Sequence, residues 1–194
     1  MRPPVRQFVE LCEQTLPLEG TIYEFGAYQV TGDQGEDLRT LFPGCEYYGA
    51  DMREGPGVDV VLNLHDIDLP DASAKTVVCM DTLEHVEYPR KAMDEIHRIL
   101  APGGVAIISS VFDFPIHGYP NDYWRFTPEG FRSLLKAFSH PLVYSFGKSE
   151  ESPQTITGVG FKDFAPDTQA FEQKAEQWEK WCSSIARQMH SDSV

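Results

Sequence analysis

Residues 76–86 read TVVCMDTLEHV, and this stretch changes from apolar to polar near its middle. Its first part, residues 76–81, is an almost continuous apolar run, which is typical of a strand covered on both faces in a parallel sheet. Its second part places acids, a threonine and a histidine directly after that strand. Core packing does not explain polar side chains at the carboxyl end of a buried strand. The stretch therefore predicts a buried central strand followed by a functional loop.

Strand and helix patterns alternate on both sides of this central strand. Short apolar runs predict further strands at 21–26, 45–50, 58–62 and 105–110, with weaker candidates at 142–146 and 155–161. Helical spacing and helix start and stop signals predict helices at 4–16, 34–42, 89–100, 127–138 and 166–190. Such alternation indicates βαβ units. The predicted fold class is α/β: a Rossmann-like, doubly wound, mostly parallel sheet with flanking helices.

The length of 194 residues suits one domain with a short appendage, which we place at 1–165 and 166–194. The predicted terminal helix carries an apolar seam at heptad-like spacing: Phe171, Ala175, Trp178, Cys182, Ile185 and Met189. Three interpretations stay open at this point. The seam packs on the parent domain, forms the contact of a homodimer, or belongs to a partly ordered tail.

The composition argues against several kinds of partner. The formal net charge is -14, from 16 basic and 30 acidic residues, and such a chain is repelled by phosphate backbones and anionic lipids. Neither nucleic acid nor a membrane is therefore an expected partner. The four cysteines form no C-x-x-C pair, so no metal site is predicted. With no secretory or membrane-spanning stretch recognised, a reduced, cytoplasmic protein is the simplest expectation.

Doubly wound sheets bind ligands outside the carboxyl ends of their strands, so the residues there are the candidate site. Gly26 follows the first strand and lets the backbone pass close to a ligand; the alternative is an ordinary tight turn. Asp51 follows the second strand, 27 residues after Glu24, and a carboxylate there can accept both ribose hydroxyls of an adenosine. The alternative for Asp51 is a loop residue that caps a turn.

Polar groups after the third and fourth strands extend this candidate site. Asn63 and His65 are placed to read an adenine edge, although Asn also favours turns. His85 is a candidate general base near neutral pH; the alternative is a histidine that orients its loop.

The loop 112–126 is a candidate substrate site, because loops at this edge of a sheet carry function. Its polar and aromatic residues are His117, Tyr119, Asn121, Asp122, Tyr123, Trp124 and Arg125. Arg125 can hold an anionic group in bidentate fashion, and Asp122 and His117 are further candidate bases. The alternative is structural: Trp124 and Phe126 fill the core, and Asp122 pairs with Arg125.

The order of these motifs resembles the class I S-adenosylmethionine-dependent methyltransferases over residues 20–140. The family's glycine motif falls on 24–30, its ribose acid on Asp51, and its adenine position on Asn63 with His65. The stretch 81–86 and the helix stop at 100–104 are also similar to the family pattern. The segment DYWRFTPEG, residues 122–130, resembles a small-domain bacterial subgroup. Tyr28 and Val30 depart from the pattern, because they stand where the family has glycines.

The resemblance implies S-adenosylmethionine as cofactor and methyl transfer to a small molecule or a glycan precursor. The residues expected to bind the cofactor are Glu24, Gly26, Ala27, Tyr28, Asp51, Met52, Asn63, Leu64, His65, Asp81 and Thr82. The residues expected to bind the substrate are Tyr119, Tyr123, Trp124 and Arg125, and the catalytic candidates are His85, His117 and Asp122. A non-catalytic protein that binds adenosine or acts as a scaffold is the alternative. A nicotinamide oxidoreductase is disfavoured, because residues 24–30 lack Gly-x-Gly-x-x-Gly.

Overall fold

The computed structural model describes residues 1–30, 37–118 and 120–191. Within them, seven strands form one sheet in the order β3-β2-β1-β4-β5-β7-β6. The strands are β1 (Thr21–Phe25), β2 (Glu46–Asp51), β3 (Val60–Val61), β4 (Ala74–Cys79), β5 (Leu100–Val111), β6 (Ser139–Gly147) and β7 (Pro153–Phe161). The α-helices are α1 (Pro3–Thr15), α2 (Pro89–Ile99), α3 (Pro128–Leu134) and α4 (Gln169–Ser191). The predicted fold class is confirmed.

The chain reverses its direction of travel across the sheet between β1 and β4. β1 pairs in parallel with both β2 and β4, and β5 continues the parallel sheet beyond β4. β7 runs antiparallel to β5 and β6, so it is the one reversed strand among those described. A crevice opens at such a switch point, outside the carboxyl ends of β1 and β4.

Several predicted boundaries differ from the structure. The predicted helix at 34–42 is a 3₁₀ helix at Leu38–Leu41, and residues 34–36 lie outside the described part. The predicted helix at 127–138 is α3 followed by a 3₁₀ turn at Leu135–Ala137. Thr127 caps α3 as its sequence pattern predicts, because its hydroxyl accepts a hydrogen bond from Gly130 N at 3.1 Å.

Two apolar layers cover the sheet, one on each face. On one face, α2 and α3 bury Ile96 and Phe131 against β4 and β5. On the other, α1 and α4 bury Phe8 and Phe171. β4 is covered on both faces: Val77 belongs to the first layer and Val78 to the second. This two-sided burial explains the continuous apolar run at 76–80.

Four of the six seam residues on α4 are buried within the chain, whereas Ile185 is partly exposed. The ring of Phe8 lies 6.1 Å from that of Phe171 and 5.1 Å from that of Trp178. Ala175 and Cys182 are buried in the same layer, and the side chain of Met189 lies outside the described part. Packing on the parent domain is therefore the observed use of the seam. Among the described residues, no helix combines the length and apolarity needed to cross a membrane.

Candidate functional site

A cavity of about 710 Å³ opens at the carboxyl ends of β1, β2 and β4. This size lies within the range of small-molecule sites. The predicted site residues that line it are Gly26, Tyr28, Asp51, Met52, Asn63, Leu64, His65, Asp81, Thr82, His85, His117 and Tyr123. Sequence reasoning did not assign a role to Arg2, Glu84, Phe114 or Asn121, which also line the cavity.

Five other predicted site residues are described but do not line the cavity: Glu24, Ala27, Asp122, Trp124 and Arg125. Glu24 is buried, and its carboxylate accepts a hydrogen bond from the Tyr47 hydroxyl at 2.6 Å. Burial raises the pKa of Glu24 to about 7. Ala27 is buried in the turn after β1. Tyr119, a predicted substrate residue, lies outside the described residues.

The loop 112–126 contains residues that bond within the protein and residues that line the cavity, such as His117 and Tyr123. Arg125 donates to both carboxylate oxygens of Asp122, which lowers the pKa of Asp122 and makes it a poor proton acceptor. Trp124 is 44% exposed, and its indole N–H donates to the carbonyl of Val86 at 3.0 Å. The alternative that Trp124 fills the core is therefore wrong, whereas Phe126 is buried there.

The turn at Gly26 brings the backbone against the next loop. Gly26 has a φ of +84°, and its N–H donates to the carbonyl of Ala50 at 2.9 Å. A Cβ atom at this position would overlap the Thr82 hydroxyl. Both the backbone conformation and the close approach therefore require glycine. Gly26 lines the cavity with backbone alone, so a ligand can approach the chain closely at this turn.

We expect Gly26→Ala to weaken S-adenosylhomocysteine binding at least tenfold and to destabilise the fold by about 1–2 kcal/mol. Gly44→Ala is the matched control, because Gly44 has a φ of +88° but no neighbouring atom where its Cβ would stand. The control should lose stability through its backbone conformation alone and keep its affinity. Calorimetric titration and thermal melts of both variants measure the two effects. Equal affinities would contradict the assigned role of the turn.

Tyr28 forms a wall of the cavity and does not fill it. Its ring packs on Gly55, where a Cβ would overlap it, and the guanidinium of Arg53 lies 4.5 Å from the ring centroid. Val30 is 49% exposed and also lines the cavity. The two departures from the glycine pattern thus leave a cavity of small-molecule size.

Asp51 and the residues after β3 form the end of the cavity nearest the sheet edge. The carboxylate of Asp51 is mostly buried and accepts a hydrogen bond from Arg53 N at 3.0 Å. Asn63 accepts from the backbone N–H of His65 at 2.9 Å, and the ring of His65 accepts from Tyr88 N at 3.1 Å. These bonds hold the polar side chains in place before any ligand arrives. A buried carboxylate at the end of β2 fits an adenosine ribose.

Arg2 joins the chain's first turn to the loop after β4. Its guanidinium contacts both oxygens of Asp81 at 2.9–3.0 Å and donates to the hydroxyl of Thr155 at 2.6 Å. Ser109 also donates to Asp81, at 2.8 Å. Asp81 is therefore paired, and Arg2 supplies a positive charge to the cavity wall. The two residues are 79 positions apart, and no local sequence signal links them.

Glu84, His85 and His117, the histidine–glutamate cluster, lie together at the cavity end near Asp81. One ligand atom from each lies within 4.8 Å of the others. The Glu84 side chain is fully buried, and its Oε1 lies 3.9 Å from His117 Nε2. Burial and the nearby Asp81 raise the pKa of Glu84 to about 8, and burial lowers the pKa of His85. The cavity thus has a ribose-sized polar end and a histidine-rich end.

Comparison with known proteins agrees with this arrangement. A family model described as a methyltransferase domain matches residues 37–108. A probable S-adenosylmethionine-dependent methyltransferase of Mycolicibacterium smegmatis is 31% identical over 84 residues, which span 43% of this chain and 30% of that protein. The matched stretch is therefore less than a third of that relative.

Solved structures share the fold at low sequence identity. A Burkholderia thailandensis 1,6-didemethyltoxoflavin-N1-methyltransferase, with bound 1,6-didemethyltoxoflavin and S-adenosylhomocysteine, superposes with a TM-score of 0.62 at 17% identity, covering 84% of this chain and 79% of that one. A possible histamine N-methyltransferase of Thermotoga maritima gives 0.56 at 21% identity, covering 81% and 91%. Both likenesses lie below 25% identity and show a shared fold, and the methyltransferase-domain match over residues 37–108 is the finding that bears on activity.

Proposed function

We propose that this protein transfers a methyl group from S-adenosylmethionine to a small-molecule acceptor. The observation that carries the proposal is the single cavity at the switch point of the sheet. It joins the Gly26 turn and the Asp51 carboxylate to the histidine–glutamate cluster. The methyltransferase-domain match over residues 37–108 supports the same activity.

The residues of the cavity suit the parts of the cofactor, which supplies a methyl group on a sulfonium. Asp51 accepts the ribose hydroxyls, and Asn63 and His65 lie beside the adenine. Met52 and Leu64 supply the neighbouring cavity wall. The open turn at Gly26, next to Thr82, admits the methionine portion. Asp81 lies beyond this turn, and Tyr28 closes the opposite wall.

The acceptor belongs at the other end of the cavity, next to His85, His117 and Tyr123. His85 and His117 are the residues that we expect to act on the attacking atom of the acceptor. The enclosed cavity aligns that atom with the methyl group, and alignment of this kind lowers a barrier by roughly 7–11 kcal/mol. A cavity of about 710 Å³ suits a small molecule, and a glycan precursor is the specific acceptor class proposed.

Three further features of the proposal rest on the sequence. Membership of the DYWRFTPEG subgroup rests on residues 122–130. A cytoplasmic location agrees with four free cysteine thiols. A homodimer through α4 would use exposed side chains such as Trp181, because four of the six residues of the predicted seam are buried within the chain.

The first test is stabilisation by the cofactor. At 100 times the dissociation constant, S-adenosylmethionine and S-adenosylhomocysteine should each raise the free energy of unfolding by about 2.7 kcal/mol. Thermal melts over a concentration series measure this effect, and above the dissociation constant the stabilisation should rise with the logarithm of the ligand concentration. A folded sample with no shift contradicts the proposal. A shift without S-adenosylhomocysteine release across an acceptor screen would instead favour the non-catalytic alternative.

A further inference from the structure

The two histidines of the cluster share one hydrogen-bond arrangement. The Nδ1 of His85 lies 2.6 Å from the carbonyl of Asn121, and the Nδ1 of His117 lies 3.1 Å from the carbonyl of Pro115. A carbonyl only accepts, so each Nδ1 carries the proton. Each Nε2 therefore presents a lone pair. Metal-binding histidines show this pattern, in which a backbone carbonyl orients the ring from the far nitrogen.

Glu84 supplies an oxygen that the protein leaves without a partner. Its Oε2 accepts a hydrogen bond from Ser110 at 2.6 Å, whereas its Oε1 is buried with no hydrogen-bond partner among the described residues. A buried polar atom of this kind costs free energy unless something binds it. Ser110 also fixes the carboxylate in one orientation, as the backbone carbonyls fix the two rings.

The charges around the cluster leave Glu84 without a compensating side chain in direct contact. Asp81 is paired with Arg2, and Asp122 is paired with Arg125. His117 Nε2 lies 3.9 Å from Glu84 Oε1, and His85 offers a ring nitrogen within 4.8 Å of the other two ligand atoms. A cation between the three groups would supply the missing partner of the buried Glu84 oxygen.

We propose that Glu84, His85 and His117 bind a divalent transition-metal ion through Oε1 and the two Nε2 atoms. Metal bonds of about 2.1 Å place neighbouring ligand atoms about 3.4 Å apart, so the present spread of up to 4.8 Å closes by a modest movement. His117 supplies this movement, because it lies on the partly exposed loop between β5 and α3.

The donor set selects the class of ion. Two imidazole nitrogens and one carboxylate oxygen suit zinc, cobalt, nickel or ferrous iron, whereas magnesium and calcium prefer oxygen ligands. Three protein ligands also leave coordination positions open, as in catalytic sites and unlike closed structural sites. Because all three ligand residues line the cavity, these positions are available to a bound molecule.

The role of the ion rests on the proposed methyl transfer. An acceptor hydroxyl bound at an open position would lose its proton to solvent water at lower pH than in the free molecule. Its oxygen lone pair then forms the bond to the methyl carbon while the carbon–sulfur bond breaks. In this arrangement His85 and His117 hold the ion and do not themselves accept the proton. Their substitution would remove metal binding and methyl transfer together.

The test measures metal binding directly and does not require turnover. Full-length protein is freed of metal with a chelator and titrated with Zn²⁺ by calorimetry and with Co²⁺ by visible absorption. We expect one ion per chain with a dissociation constant in the micromolar range or below. His117→Ala and Glu84→Gln should each weaken this binding at least 100-fold. His97→Gln is the matched control, because His97 packs on Phe138 away from the cavity and should leave binding unchanged.

Two results would overturn the metal site. One is wild-type protein that binds neither ion, and the other is His117→Ala protein that binds both as tightly as the control. Thermal melts of every variant establish that it is folded, and His117→Ala on the loop is the variant expected to melt as the wild type does. Titration with S-adenosylhomocysteine distinguishes failure of the metal-site proposal from failure of the proposed function. If the protein binds S-adenosylhomocysteine but no metal, the metal site is contradicted and the proposed function is not.

Discussion

Glu24→Gln protein should be more stable than the wild type by about 3 kcal/mol at pH 8. The carboxyl group of Glu24 is buried beside Tyr47, and this environment disfavours its charged form, so that the pKa rises from 4.5 to about 7. Each unit of pKa shift corresponds to about 1.36 kcal/mol. Glutamine keeps an oxygen to accept the Tyr47 hydrogen bond and carries no charge to bury.

The pH dependence follows from the sign of this shift. The folded state binds the Glu24 proton more tightly than the unfolded state, whose value is near 4.5. Below pH 4.5 both states are protonated and the contribution to stability is fully present. This contribution to stability is lost as the pH rises from about 4.5 through about 7. Above this range the folded protein carries the whole free-energy cost of the buried Glu24 charge. Stability attributable to Glu24 therefore falls over this window.

Urea unfolding of both proteins between pH 4 and pH 8 measures the difference. The two curves should nearly coincide at pH 4 and separate toward pH 8. Glu46→Gln is the control, because Glu46 lies on the neighbouring strand in solvent and its pKa is lowered by hydrogen bonds from Tyr48 and Thr21. That variant should show no gain at pH 8. Parallel curves for wild type and Glu24→Gln would contradict the buried charge.

Asp51→Ala is expected to weaken S-adenosylhomocysteine binding about 100-fold. A carboxylate that accepts two ribose hydroxyls makes two charge-assisted hydrogen bonds, each worth about 1.5–3 kcal/mol, and part of this is recovered by water in the variant. The main-chain bond from Leu62 N to Asp51 O does not depend on the side chain. The end of the sheet should therefore stay intact in the variant.

Calorimetric titration of the variant with S-adenosylhomocysteine tests this expectation. Asp66→Ala is a charge-matched control, because Asp66 is exposed near the same end of the cavity and does not line it. It should bind within about twofold of the wild type. If both variants lose affinity equally, the loss comes from net charge, and Asp51 has no special contact with the ribose.

The fold was predictable because its signals are local. The apolar run at 76–80 reflects burial of β4 on both faces, and strand alternation with helices indicates the parallel sheet. Boundaries were less predictable. The strand predicted at 58–62 pairs only at Val60–Val61, whereas the one predicted at 105–110 extends over Leu100–Val111, because pairing with neighbouring strands sets each length.

The candidate site was predictable only where a strand end places it. Gly26, Asp51 and Asn63 follow their strands, so topology alone brings them to one cavity. Glu24 was assigned to the cofactor, although it alternates with Ile22 on one face of β1, and that alternation indicates a core position. Glu84 was overlooked, because a glutamate in a polar segment gives no sign that tertiary packing will bury it completely.

The link between Arg2 and Asp81 also has a consequence for the order in which the protein is made. Arg2 is synthesised 153 residues before its other partner, Thr155, which belongs to β7. Domains fold as units when enough of the chain has emerged. This wall of the cavity therefore forms only after β7 has joined the sheet, and a nascent chain without β7 has an open, incomplete pocket.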